Sequence, residues 1–547
     1  MVEKKVRTQT LQEATQKFPH VADYLKKIIP THGEPEYYTE LDRKMKSTMK
    51  FPNLIYPVGD PIFIHIYRKK GGHTEYNIIQ PELTEEDQKV YDEILSRMIQ
   101  LAHSMPVPDK VTQIGDTLVK LFDKVTGVGT TQKKGGLFNK FESKISLSKE
   151  KYELYKYYLL RNRIGYGRLD PLFKDPYLED IHCTGVGQVK AVHKIFEMIF
   201  TNIIFKDDKD LNDYIMETSE RVERPVSDAK SIVDAIMPDG SRANFIYGRD
   251  ISLEGSSFTL RKFSEVPTSI TQLVNWQTMS SELAAYLWLC LENGMNLFVC
   301  GETASGKTTT LNAISAFIKP DAKVYTVENT PEVKMPHEVW QHLLTRESGG
   351  KESDITYIDL LIAALRSRPN YIIVGEIRGV EGNIAFQAMQ TGHPVMSTFH
   401  AGNVTTLVQR LTGHPINIPI TFIDNLNVVL IQSAVFRKNT FVRRVLSVTE
   451  LERYYEPAKK MITRQVFDWD PKKDVHAFRG LFNSYILEQK IARMLGYENT
   501  RDIYRDMEIR KKIIEKMIEN QVFNYYDVWN IIKKFRLDGI DGLPFKI

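Results

Sequence analysis

Cysteine is scarce in this sequence: three occur in 547 residues, at Cys183, Cys290 and Cys300. None has a second cysteine at CxxC spacing, which excludes a zinc ribbon and a disulfide framework. We therefore expect an intracellular protein.

A long uninterrupted apolar run is also missing. The most apolar stretch, residues 283–300, is broken by Glu292 and Asn293, whereas a membrane-spanning helix needs about 20 apolar residues. Residues 1–10 are charged and lack the apolar core of a signal peptide. We expect no direct membrane span, so any membrane role must go through a partner or a surface contact.

The sequence has little excess charge of either sign. Lys and Arg number 73 against 69 Asp and Glu, a formal net charge of +4. That balance is too small to indicate a dedicated nucleic-acid binder. Hydrophobic residues make up 42% and charged residues 26%, which is typical of a soluble globular protein and excludes a disordered one.

The length predicts three or four domains. Residues 127–136 are rich in Gly and Thr and are interpreted as a linker. Before it, residues 1–130 form a proline-broken, mildly basic and mainly helical unit, interpreted as a docking or interaction unit. Residues 131–262 are predicted to be a small α/β domain, with a helical run over 137–166 and strands at 181–186, 189–193 and 257–261.

Residues 263–547 carry alternating apolar strands and helices. Strands are predicted at 296–300, 324–327 and 371–374, with helices at 311–318 and 355–365. This alternation predicts an α/β domain with a parallel sheet. The last hundred residues are expected to be helical and charged, with an amphipathic helix at 503–518.

Residues 301–308 read GETASGKT, which matches the phosphate-loop pattern GxxxxGK[ST]. The loop follows a predicted strand and opens a predicted helix, as the mechanism requires. Glycines let backbone N–H groups converge on phosphate oxygens, and the helix N-terminus adds positive potential. Lys307 is predicted to contact the β- and γ-phosphates, and Thr308 to hold Mg²⁺. The predicted nucleotide-binding residues here are Gly301, Glu302, Thr303, Ala304, Ser305, Gly306, Lys307, Thr308 and Thr309.

Two acidic positions follow further strands. Glu376 ends the apolar run 371–374 after a glycine, the Walker B arrangement, where a carboxylate accepts from a water on Mg²⁺. Glu332 lies in the sequence ENTPE at 328–332, after the strand at 323–327. An acid there is placed to orient or deprotonate an attacking water. The alternative for this acidic box is a helix or turn cap.

His393 and His400 lie in the sequence TGHPVMSTFH at 391–400. No cysteine is near and no HxxxH spacing occurs, which disfavours a metal site. A hydrogen-bonding phosphate sensor and a satisfied core histidine remain the two interpretations of each.

Phosphate loop, acidic box, Walker B strand and histidine box in this order resemble the type II/IV secretion and type IV pilus superfamily of hexameric ATPases. The flanking sequences are similar too: LRSRPNYIIVGEIRG at 365–379, AMQTGH at 388–393, RPVSDA at 224–229, PDGSR at 238–242 and FTLRKF at 258–263. The resemblance covers about 160–440. Within the superfamily the chain looks most like the archaeal branch, the archaellum (archaeal flagellum) motor ATPases.

The resemblance implies a RecA-like motor domain behind a smaller domain, with nucleotide bound between the two. Glu332 matches the catalytic glutamate, Glu376 the Walker B acid and Mg²⁺ ligand, and His393 and His400 the histidine box. The candidate arginines from outside the motor domain are Arg242 and Arg261, with Arg224 behind them. Helix-end arginines usually face solvent or form ion pairs, so Arg366, Arg368 and Arg378 are ranked below these.

The resemblance further implies ATP and Mg²⁺ as cofactors and a homo-hexamer at the inner face of the cell membrane. The implied partners are a polytopic membrane platform protein and accessory cytoplasmic motor proteins, with no nucleic acid. The acidic box has Asn329 where many members have Asp, and the tetracysteine zinc module of bacterial type II secretion members is missing from the sequence. The alternatives are a pilus-assembly or secretion ATPase, a nucleic-acid translocase and a scaffold that binds ATP without hydrolysing it.

Overall fold

The structure is a computed structural model that describes residues 10–42, 45–68, 71–104, 113–129, 144–263, 266–346, 353–437 and 440–547. The chain divides into two compact units, Met1–Phe263 and Ser264–Ile547. This division falls beside the boundary predicted at 262, whereas the boundary predicted near 130 has no counterpart in it. Each unit is described by itself.

The first unit mixes helices and strands along its whole length. Its helices are α1 (Leu11–Lys17), α2 (Pro19–His32), α3 (Met45–Thr48), α4 (Glu85–Leu101), α5 (Ile114–Val125), α6 (Lys149–Arg163), α7 (Asp170–Lys174) and α8 (Asp208–Arg221). Its strands are β1 (Glu36–Tyr37), β2 (Asn53–Gly59), β3 (Ile62–Arg68), β4 (Thr74–Ile79), β5 (Thr126–Val128), β6 (Ile145–Leu147), β7 (Leu178–Cys183), β8 (Gly187–His193), β9 (Glu197–Phe205), β10 (Ile232–Ile236), β11 (Arg242–Ile246) and β12 (Ser257–Arg261).

Ten of these strands form one sheet in the order β1-β2-β3-β4-β9-β8-β7-β12-β11-β10. β4 pairs parallel with β9, with Thr74 opposite Ile199. The segment 1–130 therefore contributes β1–β4 to this sheet, and these four strands continue the sheet of the segment 131–262. The two segments share one sheet because β4 completes the hydrogen bonding of β9.

Buried polar bonds hold the two parts of this sheet together. Tyr56 on β2 and Tyr76 on β4 both donate their hydroxyls to Asp175 Oδ2, at 2.7 and 2.6 Å. All three side chains are at most 1% exposed, and buried hydrogen bonds to a carboxylate are stronger than neutral ones. Their apolar neighbours, among them Ile64 and Ile181, belong to one hydrophobic cluster that spans both segments.

Two predictions between residues 126 and 166 need correction. The predicted linker begins in β5, which pairs parallel with β6, and its residues 130–136 lie outside the described residues. Of the helical run predicted over 137–166, residues 137–143 lie outside the described residues, β6 occupies Ile145–Leu147, and α6 confirms a helix over Lys149–Arg163. Ser148 caps α6 by accepting from the Lys151 N–H, and a serine at this position starts a helix rather than continuing one.

The second unit is also α/β. Its helices are α9 (Ile270–Asn275), α10 (Ser281–Glu292), α11 (Lys307–Ser315), α12 (Tyr357–Arg366), α13 (Glu381–Gln390), α14 (Val404–Thr412), α15 (Ala492–Met494), α16 (Ile503–Glu519) and α17 (Tyr525–Asp538), with a π-helix at Ile486–Ile491. Its strands are β13 (Leu297–Gly301), β14 (Val324–Glu328), β15 (Trp340–Leu344), β16 (Tyr371–Glu376), β17 (Val395–Phe399), β18 (Val428–Arg437), β19 (Thr440–Tyr455), β20 (Lys460–Asp470) and β21 (Val475–Phe478).

These strands form a sheet in the order β15-β14-β16-β17-β13-β18-β19-β20-β21. The first six in this order pair parallel with their neighbours, and the last three continue antiparallel. The predicted RecA-like α/β domain with a parallel sheet is confirmed. The prediction that the last hundred residues are helical is wrong for 448–478, where β19, β20 and β21 pair as antiparallel strands.

The apolar stretch at 283–300 is the centre of the second unit's core. Residues 283–292 of α10 and 297–300 of β13 are all buried, as expected for a strand covered on both faces. Glu292, which interrupts the run, forms ion pairs with Arg510 at 2.6 Å and Arg536 at 3.1 Å. None of the helices in the described ranges is both long and apolar enough to cross a membrane.

Candidate functional site

Most of the predicted nucleotide-binding and catalytic residues of the second unit lie at one edge of its sheet. β13, β17, β16 and β14 are consecutive strands of the sheet and pair parallel with one another. Their carboxyl ends lead into the 301–308 loop, His400, Glu376 and Glu328 respectively. The carboxyl edge of a parallel sheet is where ligands bind in open α/β folds.

The loop at 301–308 has the backbone of an anion cradle. Gly306 has φ +90° and precedes the first residue of α11, so free helix N–H groups and the helix dipole face the loop. A Cβ on Gly301 would lie 2.1 Å from the Gln432 carbonyl oxygen, and one on Gly306 would lie 2.9 Å from Arg443 Cδ. The glycines of the pattern are therefore required by close neighbours as well as by conformation.

Lys307 folds over this loop. Its Nζ donates to the Glu302 carbonyl at 2.9 Å and lies 3.5 Å from His400 Nδ1. Burial lowers the pKa of Lys307, and the negative charge of Glu376 opposes that shift. The ammonium is thus desolvated and lies beside the loop, where a phosphate oxygen can replace a carbonyl as its partner.

Glu376 and His400 form a direct pair on neighbouring strands. His400 Nε2 lies 2.7 Å from Glu376 Oε1. The β16–β17 pairing shifts register between Val374 and Glu376, and such a bulge re-aims a side chain. Burial and the charge of Lys307 lower the pKa of His400, which favours a neutral imidazole. Arg410 donates to the His400 carbonyl and so fixes the end of β17.

Arg378 joins this pair from the loop after β16. Its guanidinium bonds to Glu376 Oε2, and its side chain is 69% exposed. This bond raises the pKa of Arg378, to which the negative charge of Glu332 also contributes. The structure therefore brings Arg378, ranked below Arg242 and Arg261 from the sequence, next to the Walker B acid.

Glu328, the first acid of the acidic box, has a structural environment. It is 2% exposed, and its Oε1 accepts from the backbone N–H groups of Glu332 at 3.0 Å and Val333 at 2.9 Å. Its Oε2 lies 2.7 Å from His342 Nε2. Burial raises the pKa of Glu328, while the His342 bond opposes that shift. Glu328 holds the turn that carries Glu332.

Glu332 is held at the site through its backbone. Asn312 on α11 donates from Nδ2 to the Glu332 carbonyl at 2.8 Å and accepts from the Lys334 N–H at 3.0 Å. The helix that starts in the phosphate loop thus positions the acidic box. The negative charge of Glu332 opposes the lowering of the Lys307 pKa and adds to the raising of the Arg378 pKa. The Glu332 carboxylate therefore lies near both cations.

Three other predicted or alternative residues lie at the opposite edge of the sheet. His393 precedes β17, whose far end carries His400. Arg366 and Arg368 precede β16, whose far end carries Glu376. Parallel strands present their amino and carboxyl ends at different edges, so these three residues do not meet the phosphate loop of their own unit.

Two of the three candidate arginines of the first unit, Arg242 and Arg261, lie on β11 and β12. Arg242 and Arg261 are direct cross-strand partners, so their side chains share one face of the sheet. Arg261 is 64% exposed and lies 3.2 Å from Asp180 on the adjoining β7. Arg224 follows α8, where its N–H donates to the Ser219 carbonyl.

Sequence reasoning missed two residues that contact the phosphate loop. Gln432 on β18 donates from Nε2 to the Ser305 carbonyl at 2.8 Å and accepts from the Thr310 hydroxyl at 2.7 Å. Arg443 on β19 donates from Nε to the Ala304 carbonyl at 3.2 Å. They lie more than a hundred residues after the loop, and no local pattern marks them.

The site's donors suit a nucleotide phosphate with Mg²⁺. Thr308 is the second residue of α11 and is partly exposed, and Glu376 supplies a carboxylate at the same edge. Mg²⁺ takes few protein ligands, keeping waters and phosphate oxygens as its other ligands. No group of three His, Cys, Asp or Glu side chains in the described ranges could form an all-protein metal site. The residues therefore fit a metal held largely by a bound nucleotide.

Residues 175–466 match the family of Type II/IV secretion system proteins. The chain belongs to this family. It is 52% identical over 543 residues to uncharacterized protein MJ0900 of Methanocaldococcus jannaschii, which covers 98% of each chain. It is 35% identical over 125 residues to protein VirB11 of Agrobacterium fabrum, covering 23% of this chain and 36% of VirB11.

Solved structures of similar proteins cover about two thirds of the chain. The ATPase DotB of Legionella pneumophila is 16% identical with a TM-score of 0.37, covering 66% of this chain and 92% of DotB. The pilus retraction motor PilT with bound ADP is 17% identical with a TM-score of 0.37, covering 67% of this chain and 94% of PilT.

Proposed function

We propose that the protein is a Mg²⁺-dependent ATPase. The observation that carries this proposal is the group of side chains around Lys307. The carboxylates of Glu332 and Glu376, the imidazole of His400 and the guanidinium of Arg378 all lie beside an anion cradle at the start of α11. Phosphoryl transfer needs positioning and charge stabilisation more than covalent chemistry. Similar proteins named as ATPases or as a motor with bound ADP support the same conclusion.

Each residue has a role that follows from its surroundings. The N–H groups of the 301–308 loop and the Lys307 ammonium would bind the phosphates of ATP. Thr308 and Glu376 would hold Mg²⁺, which when bound neutralises phosphate charge. Glu332 would take the proton of the attacking water. His400, with its Nε2 2.7 Å from Glu376 Oε1, would orient that carboxylate and report whether the γ-phosphate is present.

The motor role rests on the family and on the sequence resemblance. We propose a hexameric ATPase that powers assembly or rotation of an archaeal type IV pilus-like filament, the archaellum. It would work at the cytoplasmic face of the membrane with a polytopic platform protein and accessory motor proteins. Arg242 and Arg261 would reach the nucleotide when the ring assembles and closes. A pilus-assembly or type II/IV secretion ATPase of the same architecture is the alternative.

Phosphate release from ATP tests the enzymatic proposal. The parent chain should release phosphate in a Mg²⁺-dependent way, and Lys307→Ala should abolish release while the chain stays folded, because the exchange removes a cation at the first residue of α11 and no apolar core side chain. Lys319→Ala, an exchange of another lysine that lies four residues after the end of α11, is the control. Near-parental release by Lys307→Ala would refute the proposed site.

The same exchange placed in the chromosome tests the motor role. Cells that carry Lys307→Ala should lose archaella and swimming, scored by electron microscopy and motility on soft agar. Cells that swim normally but lack other surface pili or secreted proteins would instead support the pilus or secretion alternative.

A further inference from the structure

The β18–β19 hairpin makes two separate contacts with the phosphate loop. Gln432 is 1% exposed and bridges the Ser305 carbonyl and the Thr310 hydroxyl. Ser305 lies in the loop and Thr310 on α11, and both are buried. One side-chain amide therefore connects the loop to the helix that the loop begins.

The Gln432 contact fixes the direction of a loop N–H group. A trans peptide unit is planar, so its C=O and N–H point in opposite directions. Gln432 donates to the Ser305 carbonyl from one side, which turns the Gly306 N–H of the same peptide unit to the other side. A Cβ on Gly306 would lie 3.0 Å from Gln432 Nε2, so the glycine is what lets this amide approach.

The Arg443 contact supports a strained residue. Ala304 has φ +61°, a left-handed conformation that alanine keeps only where its surroundings hold it. Arg443 donates from Nε to the Ala304 carbonyl, and its Cδ lies against Gly306. Its remaining two guanidinium nitrogens make no hydrogen bond or ion pair with the described residues, which leaves a positive charge exposed beside the loop.

We propose that Gln432 and Arg443 are positioning residues that hold the 301–308 loop in the conformation that receives phosphate. This role rests on the proposed nucleotide site. Gln432 and Arg443 lie outside the sequence motifs of that site and act on it through the loop. Removing either should weaken binding of nucleotides that carry a β-phosphate.

The first test is Gln432→Met, which keeps the length and approximate volume of the side chain but removes both hydrogen bonds. The dissociation constant for ADP, measured by fluorescence anisotropy with a labelled nucleotide, should rise by ~10-fold or more, since a buried acceptor then lacks its partner. Gln465→Met is the matched control, because Gln465 bonds Asp468 on the same sheet and lies outside the loop contacts.

The second test is Arg443→Gln, paired with Arg479→Gln as control. Both arginines are exposed, but Arg479 follows β21 and pairs with Asp468. Arg443→Gln should raise the ADP dissociation constant ~10-fold with an unchanged nucleotide-free melting temperature, which separates positioning from general destabilisation. Arg443 is exposed, so this variant decides the question if Gln432→Met fails to fold.

A double-mutant cycle connects Gln432 to its partner. Thr310→Val removes the hydroxyl that donates to Gln432, so Thr310→Val combined with Gln432→Met should lose less affinity than the product of the single losses. Parental ADP affinity in both Gln432→Met and Arg443→Gln would overturn the inference. A parent chain that binds no ADP and releases no phosphate would refute the proposed function instead.

Discussion

The acids near Lys307 differ in what each of their oxygens contacts. Glu376 Oε1 lies 2.7 Å from His400 Nε2, and its Oε2 accepts from Arg378. The Glu332 backbone is held by Asn312, and its charge acts on Lys307 and Arg378. Glu376 is therefore already committed to a pair that suits metal binding and sensing. We propose Glu332, which matches the catalytic glutamate in the sequence resemblance, as the group that accepts a proton.

Exchanging each acid for its amide separates these two roles. Glu332→Gln should leave ATP binding near the parental level while phosphate release falls by at least ~10²-fold, the usual contribution of a general base. Glu376→Gln should also weaken Mg²⁺-dependent binding, measured by titrating Mg²⁺ at fixed ATP. Normal release by Glu332→Gln together with a dead Glu376→Gln would move the base assignment to Glu376.

At the scale of elements, the acidic box is a turn organised by its own first residue. Glu328 ends β14 and accepts the N–H groups that would otherwise be unpaired at 332 and 333. Gly375 on β16 leaves room for this, because a Cβ there would lie 3.0 Å from Glu328 Cγ. The two neighbouring strands therefore position the catalytic candidates jointly.

Glu328→Gln tests this organisation. The Gln oxygen can still accept from both N–H groups, but the negative charge is lost and the amide nitrogen cannot accept from His342, so the second unit should lose about 1–3 kcal/mol of unfolding free energy. Phosphate release should fall with it, since the Glu332 turn loosens. Glu338→Gln, an exposed acid paired with Lys533, should change neither denaturant unfolding nor release, and equal stability of the two variants would contradict the role of Glu328.

Much of the second unit could be predicted from the sequence, because its strands are short apolar runs and its loop obeys a local pattern. The strands at 324–327 and 371–374 are found with one or two residues added. What the sequence could not supply is long-range pairing. Gln432 contacts Ser305 because β18 pairs with β13, the strand before the loop. The β2–β4 strands join β9 through β4, across more than a hundred residues. Neither contact leaves a periodic signal.

For the whole molecule, the shared ten-stranded sheet changes the prediction for truncation. A chain beginning at residue 131 lacks β1–β4 and leaves Asp175 without Tyr56 and Tyr76, a buried charge that has lost two bonds. We expect 131–547 to aggregate, whereas 264–547, with its own core, should fold. Size-exclusion chromatography and circular dichroism of both fragments measure this, and a monodisperse, folded 131–547 would show that the first segment is dispensable.

Buried histidines predict the pH dependence of stability. Burial lowers the pKa of His193 in the first unit and of His337 in the second to about 4. Between pH 6.5 and 4 the unfolded chain then binds more protons than the folded chain, so stability falls as pH falls through that window. Each histidine should cost about 1 kcal/mol between pH 7.5 and 5.5.

Denaturant unfolding of 264–547 at these two pH values measures the effect in one unit. His337→Phe removes the titrating group but keeps a ring against Trp529, so its stability loss on acidification should be smaller by about 1 kcal/mol. An unchanged loss would mean that His337 contributes nothing to the acid sensitivity.

The pairing of β4 with β9 has a consequence during synthesis of the chain. Thr74 and Ile199 are register partners, so about 125 residues must leave the ribosome between them. At roughly 5–20 residues per second, that takes on the order of ten seconds. For that time β4 is an open strand edge at the end of a three-stranded meander, a hazard for intermolecular pairing. Glu75 is the middle one of the three β4 residues that pair with β9, and it places a charge on that edge. This charge disfavours pairing between nascent chains on the same messenger RNA until β9 has been synthesised.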